Sequence, residues 1–371
     1  MPASLHVQSG ALIAHRLLDV ANDIDLAQAE ALWLSRGEGH ESRRTNLSTA
    51  ASNELAFDVP PALLTLPPTE LAFEGHTAQA ELTVRVYDFG ALVIALRVPV
   101  SGLSWAEFSH RFDALGHATT REAAVWDRAL RYVLDIIGPA LHKPAARHLD
   151  EDYLFAIVHA FTHSMSGAQV REQADLAALL SGETRPLSAQ EAAALTEQAY
   201  SYFEDDLVVL TWDRAFVYEP RSDSDVIDII EVANAQLLEM RYYDELLDEE
   251  LAVMYDLVAN ARGGLSLVAS RRAARLARRL YGLVAEVTEL TERVENSLQV
   301  TEDVYLARIY GAALELFRVP RLSAAVDRKL AIIRDTYTAL YDEASSRRAE
   351  LLELAIVVLI VFEIVLALAE A

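Results

Sequence analysis

The stretch ELTVRVYDFGALVIALRVPV, Glu81–Val100, contains two β-rich runs separated by Asp88-Phe89-Gly90. Valine, threonine and isoleucine favour strands, and an aspartate and a glycine are typical of the point where a chain reverses. The pattern predicts a β-hairpin. The three letters DFG also occur in protein kinases, but no His-Arg-Asp loop or glycine-rich loop accompanies them here, so we interpret them as a turn.

The residues before this hairpin predict a mixed α/β segment. Leu5–Leu17 is typical of one long strand or a strand pair, and Asp25–Trp33 is typical of a helix capped by Asp25. Ser35–Pro68 is rich in Ser, Asn, Gly and Pro, which predicts a loop.

The residues after the hairpin repeat a similar order. Ser104 and Glu107 form the pattern of a capping box, and the helical stretch that follows ends at Gly138-Pro139. A strand, two helices and a hairpin are then predicted at Asp152–Ser164, Val170–Leu180, Ala189–Ala199 and Asp206–Pro220. We therefore expect residues 1–221 to form an α+β head, with a duplicated, ferredoxin-like arrangement as its suggested plan.

Residues 222–348 predict a helical hairpin and coiled-coil domain. Helices are expected at Ser222–Asn260, Ser266–Ser297 and Glu302–Arg347, with a break at Arg262-Gly263-Gly264 and a bend near Pro320. Apolar residues recur at intervals of three and four, which is the spacing of helix bundles and coiled coils.

The chain ends with an apolar run, Leu351–Ala369, that predicts a membrane anchor over residues 349–371. A helix of about 19 residues spans roughly 28 Å, close to the hydrocarbon thickness of a bilayer. Arg347 and Arg348 would remain on the cytoplasmic side. These features predict a single-pass, tail-anchored membrane protein with a cytoplasmic body, and the alternative is a helix packed inside an oligomer.

Two acidic residues, Glu353 and Glu363, lie in or beside this run. A carboxylate at the bilayer centre costs about 2.5–3.5 kcal/mol on insertion scales. We therefore expect Glu363 to lie at a helix–helix contact of a homo-oligomer, and the alternative is a position near the far interface.

Composition excludes several classes of site. The net charge of −24 argues against a general nucleic-acid surface, which needs concentrated Lys and Arg. The chain has no cysteine, which excludes disulfides, thiolate metal ligands and cysteine nucleophiles. The N-terminal residues lack the pattern of a secretory signal, so we expect none.

His159 and His163 have the spacing of two helical metal ligands, but the sequence around them predicts a strand. In a strand the two side chains would be about 13 Å apart, so we expect no metal here and no cofactor elsewhere.

Arginines are concentrated in one predicted helix, at positions Arg271, Arg275, Arg278 and Arg279. One interpretation is a patch for RNA, anionic lipid or a protein partner. The interpretation that we favour is pairing of Arg275 and Arg278 with the acidic residues 244–256 across an antiparallel helix pair.

Four stretches of the chain resemble the Rmd/YagE family, named for a yeast protein required for meiotic nuclear division. They are Leu237–Leu251, Glu302–Arg318, Val326–Glu343 and Glu353–Ile364, and Val86–Val100 is similar to the N-terminal hairpin of that family. The resemblance implies an α/β head, a helical stalk and a membrane segment. Mitochondrial relatives are oligomeric inner-membrane proteins tied to mitochondrial translation, whereas this chain, without a presequence, resembles a bacterial inner-membrane member.

No catalytic motif accompanies these features. The leading hypothesis is therefore a non-enzymatic, membrane-tethered scaffold that binds itself, membrane lipid and an unidentified protein partner. One alternative is an enzyme with a pocket in the α/β head, which a polar cavity with converging titratable residues would favour. Another is an RNA-associated factor that acts through the arginine-rich helix.

Overall fold

The computed structural model describes residues 5–37, 41–44, 59–73, 76–120, 123–145, 149–183, 185–221, 225–261 and 303–369, with scattered positions between 275 and 288. These residues divide into two compact units. The first comprises the described parts of Met1–Glu239 and Arg293–Pro320, and the second those of Met240–Glu292 and Arg321–Ala371.

A mixed nine-stranded sheet dominates the first unit, and its strand order is β3-β4-β5-β6-β1-β8-β11-β10-β9. A separate two-stranded sheet pairs β2 with β7. The described strands are β1 His6–Asp19, β2 Ala21–Ile24, β3 Ser42–Arg44, β4 Ala62–Phe73, β5 His76–Val86, β6 Ala91–Ser104, β7 Leu141–Pro144, β8 Asp150–Phe161, β9 Ala199–Tyr200, β10 Leu207–Leu210 and β11 Arg214–Tyr218.

The central strand of this sheet is β1, which pairs with β6 on one side and β8 on the other, both antiparallel. Every residue from Gly10 to Asp19 is buried. The strand lacks the alternation of a half-exposed strand because both of its faces are covered. The Leu5–Leu17 stretch is therefore one long strand.

The described helices belong to both units. They are α1 Leu26–Leu34, α2 Trp105–Ala118, α3 Ala124–Ile137, α4 Gly167–Gln173, α5 Leu176–Ser181, α6 Ala189–Leu195, α7 Val226–Ala261, α8 Val304–Leu316 and α9 Val319–Ala369. Two predicted caps are confirmed: the Asp25 side chain accepts from Gln28 N, and Ser104 and Glu107 form a reciprocal capping box.

Both predicted hairpins are also confirmed. Strands β5 and β6 pair antiparallel around the turn at Asp88–Gly90, and β10 pairs with β11. At this turn Gly90 has φ +99°, a left-handed conformation that side chains with a Cβ rarely adopt. The turn also contacts the start of β2, since Gly90 O accepts from Val20 N at 3.0 Å.

The predicted loop Ser35–Pro68 is wrong in part, because β3 and the first half of β4 lie inside it. Pro67 and Pro68 are within β4, where the pairing with β5 shifts between Leu66 and Thr69. A bulge leaves a residue outside the ladder of hydrogen bonds and so accommodates proline, which cannot donate one.

The ferredoxin-like, duplicated plan is wrong. One sheet contains nine strands, and its two halves pair differently. Strands β1 and β6 are antiparallel, whereas β8 and β11 are parallel and are joined through a crossover that contains α4, α5 and α6. A duplicated unit would repeat the same pairing in both halves.

The expected helix Ser222–Asn260 corresponds to α7, whereas the expected break at Arg262-Gly263-Gly264 and most of the expected helix Ser266–Ser297 lie outside the described residues. In the second unit, the buried residues Met240, Tyr243, Leu247, Leu251 and Met254 follow the predicted spacing of three and four along α7. The expected single helix Glu302–Arg347 is instead two, α8 and α9. They are separated at Arg318, whose φ is +57°.

The predicted transmembrane helix is wrong. Within the described part of the chain, no helix has both the length and the apolarity needed to cross a membrane. The run after Arg347 and Arg348 is instead the end of α9, a 51-residue helix in which acidic residues, Glu353 and Glu363, interrupt the apolar sequence. The predicted tail anchor and single-pass membrane location are overturned by the same finding.

Gly90 and Gly37 give a matched test of the hairpin turn. Both have positive φ, but a Cβ at Gly90 would overlap the Ala21 carbonyl, whereas none of the described atoms lies within 4 Å of one at Gly37. Substitution by alanine should lower the free energy of unfolding by about 1–2 kcal/mol at Gly37. At Gly90 the overlap should add about 1–3 kcal/mol to that loss. Chemical denaturation checks this, and equal losses at both positions would contradict it.

Candidate functional site

The first part of α7 lies on one face of the sheet, against β1, β5 and β6. Successive side chains of a strand point to opposite faces, so alternate residues of these strands face the helix. One group of them forms a small apolar core with α7: Leu17, Tyr87, Phe89, Ala91 and Val93 pack with Val232, Ala235 and Leu238.

A cavity of about 210 Å³ lies beside this apolar core, at the N-terminal end of α7. Its apolar lining residues are Ile13, Leu63, Val93, Ala95 and Ile227. Its polar lining residues are His15, Glu81, Thr83, Arg85, Arg97, Asp228 and Glu231. Five strand and helix segments distant in sequence therefore converge on one small space.

Arg85 joins β5 to α7 at this cavity. Its Nη2 donates to Asp228 Oδ1 at 2.7 Å and its Nη1 to Glu231 Oε1 at 2.8 Å. Residues three apart lie on the same face of a helix, so a single guanidinium group binds both carboxylates. The Arg85 and Glu231 side chains are only 11% and 3% exposed, which makes the contact with Glu231 a largely desolvated ion pair.

Glu231 connects the remaining polar groups. Its Oε1 also accepts from the Tyr87 hydroxyl at 2.7 Å, and its Oε2 lies 3.6 Å from His15 Nδ1. The His15 ring packs against Phe155, with 4.9 Å between the ring centroids. We call His15, Arg85, Tyr87, Asp228 and Glu231 the Glu231 cluster.

Burial sets the protonation states in this cluster. It lowers the pKa of His15 to about 3, with a further contribution from the charge on Arg85, so the imidazole is neutral near pH 7. Burial and the Glu231 charge raise the pKa of Tyr87 well above its usual range, which keeps the hydroxyl as a donor. Burial also raises the pKa of Asp228, and Arg85 opposes that change.

Two polar atoms of the cluster have unused hydrogen-bonding capacity. His15 Nδ1 and Arg85 Nε are buried and make no hydrogen bond to the described residues. Buried polar atoms normally have a partner, so such atoms beside a cavity indicate a place for a bound polar molecule or water. Arg97 and Glu81, whose side chains are partly exposed, pair with each other at 3.1 Å.

The predicted histidine pair lies away from this cavity. His159 is half-buried on β8, with Nδ1 3.1 Å from Glu219 O, and His163 is exposed beyond the end of that strand. The described ranges contain no group of three or more His, Asp and Glu side chains that could hold a metal ion. The expectation that the pair binds no metal stays a prediction.

The other predicted site residues are only partly described. Arg275 and Arg278 are at exposed helical positions, whereas Arg271 and Arg279 lie outside the described residues. The pairing of Arg275 and Arg278 with residues 244–256 therefore stays a prediction. Within the second unit, Lys329 of α9 binds Asp244 and Asp248, at 2.7 Å each.

The terminal site residues all belong to α9. Glu353 is exposed, and the side chains of Arg347, Arg348 and Glu363 lie outside the described residues. The proposed contact of Glu363 with another helix stays untested.

Sequence reasoning missed the Glu231 cluster entirely. Glu81, Thr83 and Arg85 alternate along β5, and Tyr87 follows its last residue. Such alternation is also the pattern of a solvent-facing strand surface. Arg85 and Glu231 are 146 residues apart, and no local motif connects them. The available signal was the position of Arg85 between Val84 and Val86 near the end of the predicted strand.

The matching family model covers most of the first unit, which contains the nine-stranded sheet and is called the sheet-bearing unit below. It is described as the N-terminal domain of the uncharacterized protein MJ0711 and matches residues 9–225. The chain belongs to this family. The matched residues include His15, Arg85 and Tyr87 on the sheet but end before Asp228 and Glu231 on α7.

A curated relative is the uncharacterized protein MJ0711 of Methanocaldococcus jannaschii, which is 29% identical over 177 residues. That alignment covers 47% of this chain and 53% of the relative, so it spans about half the length of each. No solved structure matches the chain. The family is therefore shown, and the Rmd/YagE assignment is not confirmed.

The buried, neutral His15 predicts a dependence of stability on pH. Below about pH 6.5 the unfolded histidine binds a proton, whereas the folded one stays neutral down to about pH 3. The unfolded state binds more protons in this window, so stability falls as the pH falls, by up to about 1.4 kcal/mol per pH unit. His15→Gln should reduce this slope between pH 6.5 and pH 4 in denaturation experiments.

His163→Gln is the matched control, because His163 is exposed and outside the cluster. It should leave the slope unchanged. Parallel curves for the wild type and His15→Gln would contradict the prediction.

Proposed function

We propose that this chain is a self-associating scaffold that assembles through the apolar end of α9. The observation that supports the proposal is the exposure of this segment. Consecutive side chains from Ile356 to Phe362, and also Ile364, each have at least half of their surface exposed. A helix that is apolar on every side is normally buried, so this segment needs a covering surface.

A second copy of the chain is the occupant that we propose. Consecutive residues of a helix are about 100° apart, so the residues from Ile356 to Phe362 point in all directions. A flat partner surface would cover only one side of them, whereas a bundle of identical helices covers several. Burial of each side chain contributes up to about 1.5–3 kcal/mol to the free energy of association. Closed symmetric assemblies are the usual form of self-association.

The sequence resemblance supports the same proposal. Most of the Rmd/YagE-like stretches lie after residue 225, beyond the matched family model. We propose that the chain combines an MJ0711-type N-terminal domain with a helical region of the Rmd/YagE type. Such a protein would act by assembling and presenting its sheet-bearing unit to a protein partner.

A second candidate function is binding or conversion of a small molecule in the sheet-bearing unit. The cavity at the Glu231 cluster favours it, because several titratable side chains converge on a concave space. Its 210 Å³ is below the usual range of about 300–1,000 Å³ for drug-sized ligands, so a small molecule is the natural occupant.

Val358→Glu tests the self-association. The Val358 side chain is 59% exposed in the single chain, and a carboxylate there would be buried without a partner in an assembly. Sedimentation velocity of the full chain should show an oligomer for the wild type and a species of lower mass for the variant.

Val304→Glu is the control, since Val304 is 76% exposed and belongs to α8 in the first unit. It should retain the wild-type mass. A monomeric wild type at micromolar concentration, or an unchanged mass for Val358→Glu, would overturn the proposal.

A further inference from the structure

We propose that the cavity at the Glu231 cluster is a binding site for a small organic cation with a primary ammonium group. This inference goes beyond self-assembly and rests on the cavity alone, so either can fail without the other. Its basis is the combination of an excess of carboxylates, a buried imidazole whose Nδ1 makes no hydrogen bond to the described residues, and an apolar wall in one small space.

The charge of the lining favours a cation. Three carboxylates line the cavity, from Glu81, Asp228 and Glu231, against two guanidinium groups, from Arg85 and Arg97. Each guanidinium group is already bound to carboxylates of the same lining. The neutral His15 adds no positive charge. A bound monocation would balance the one remaining negative charge, whereas an anion would add to it.

Hydrogen-bonding geometry points to a donor-rich head group. Arg85 and Tyr87 both use Glu231 Oε1, which leaves Oε2 as the less engaged oxygen, 3.6 Å from His15 Nδ1. An ammonium group has three donors and no acceptor. It could donate to Glu231 Oε2 and to His15 Nδ1 in the tautomer that leaves this nitrogen unprotonated. The second bond would satisfy a buried atom that makes no hydrogen bond to the described part of the chain.

The remaining walls set the size and character of the rest of the ligand. Ile13, Leu63, Val93 and Ile227 present apolar surface to the cavity. A volume of 210 Å³ corresponds to about seven water molecules at roughly 30 Å³ each. The site therefore fits a compact amine with a short apolar body, and not a nucleotide or a peptide.

A divalent metal ion is the competing cation, and the ligand set argues against it. Oxygen-binding metals take about six or more ligands, largely carboxylates and carbonyls. Here Arg85 occupies an oxygen of both helix carboxylates. Among the described residues no cluster with the makeup of a metal site occurs.

Benzylamine, benzyl alcohol and benzoate test the site, because they share a ring and differ in charge. Ligand-observed NMR and thermal unfolding of the full chain should show binding in the order benzylamine, benzyl alcohol, benzoate. Glu231→Gln should weaken benzylamine binding by about tenfold or more, since the carboxylate charge that pairs with the ammonium group is lost.

Because Glu231→Gln also weakens the contact with Arg85, a second variant keeps the cluster intact. Ala95→Leu extends a side chain from the wall of the cavity and should abolish benzylamine binding. Ala72→Leu, at an exposed position of β4 outside the lining, is its control and should bind as the wild type does. Circular dichroism verifies that each variant is folded.

Three results would overturn the proposal. They are no response to benzylamine at millimolar concentration, equal or stronger binding of benzoate, and unchanged benzylamine affinity in folded Ala95→Leu. Binding of Mg²⁺ or Ca²⁺ that Glu231→Gln abolishes, without binding of benzylamine, would assign the cavity to a metal instead.

Discussion

The contact between Arg85 and the two carboxylates of α7 is the interaction on which the sheet-bearing unit depends. It joins a strand to a helix 146 residues further along the chain and fixes which face of β5 is covered. Charges this buried are tolerated only with good geometry, and removal of one partner from such a pair typically costs about 3–5 kcal/mol. The hydroxyl of Tyr87 adds a third donor, so the helix cannot shift along the sheet without leaving several polar groups unsatisfied.

Helix α7 covers one of the two faces of the nine-stranded sheet. One face carries the main core, in which α1, α2 and α3 contribute Trp33, Phe108, Phe112, Trp126 and Val133. The opposite face would expose Leu17, Phe89 and Val93 without the helix, and Val232 and Leu238 cover them. The apolar part of this contact excludes water. The polar part beside it does not fill the space between helix and sheet, and the cavity remains there. The apolar contact and the cavity thus both involve the same helix.

Local features of the chain were largely predictable. The Asp88–Gly90 and Asp213 turns, the caps at Asp25 and Ser104 and the long α7 follow from propensities that act over a few residues. Strand β4 was missed because Pro67 and Pro68 are typical of loops, and only the pairing partner shows that a bulge accommodates them. The terminal run was assigned to a membrane from its apolarity, a property that a helix in a bilayer shares with one in a protein assembly.

The sequence by itself determined many of the helices and hairpins of this protein, its lack of cysteine chemistry and the apolar character of its end. Those properties depend on residue type and on neighbours a few positions away. The tertiary structure alone decided the nine-strand order, the parallel pairing of β8 with β11, and the meeting of His15, Arg85 and Glu231. Each of these depends on which distant surfaces bury one another. That choice is made by the packing of the whole unit, and no pattern local to one segment records it.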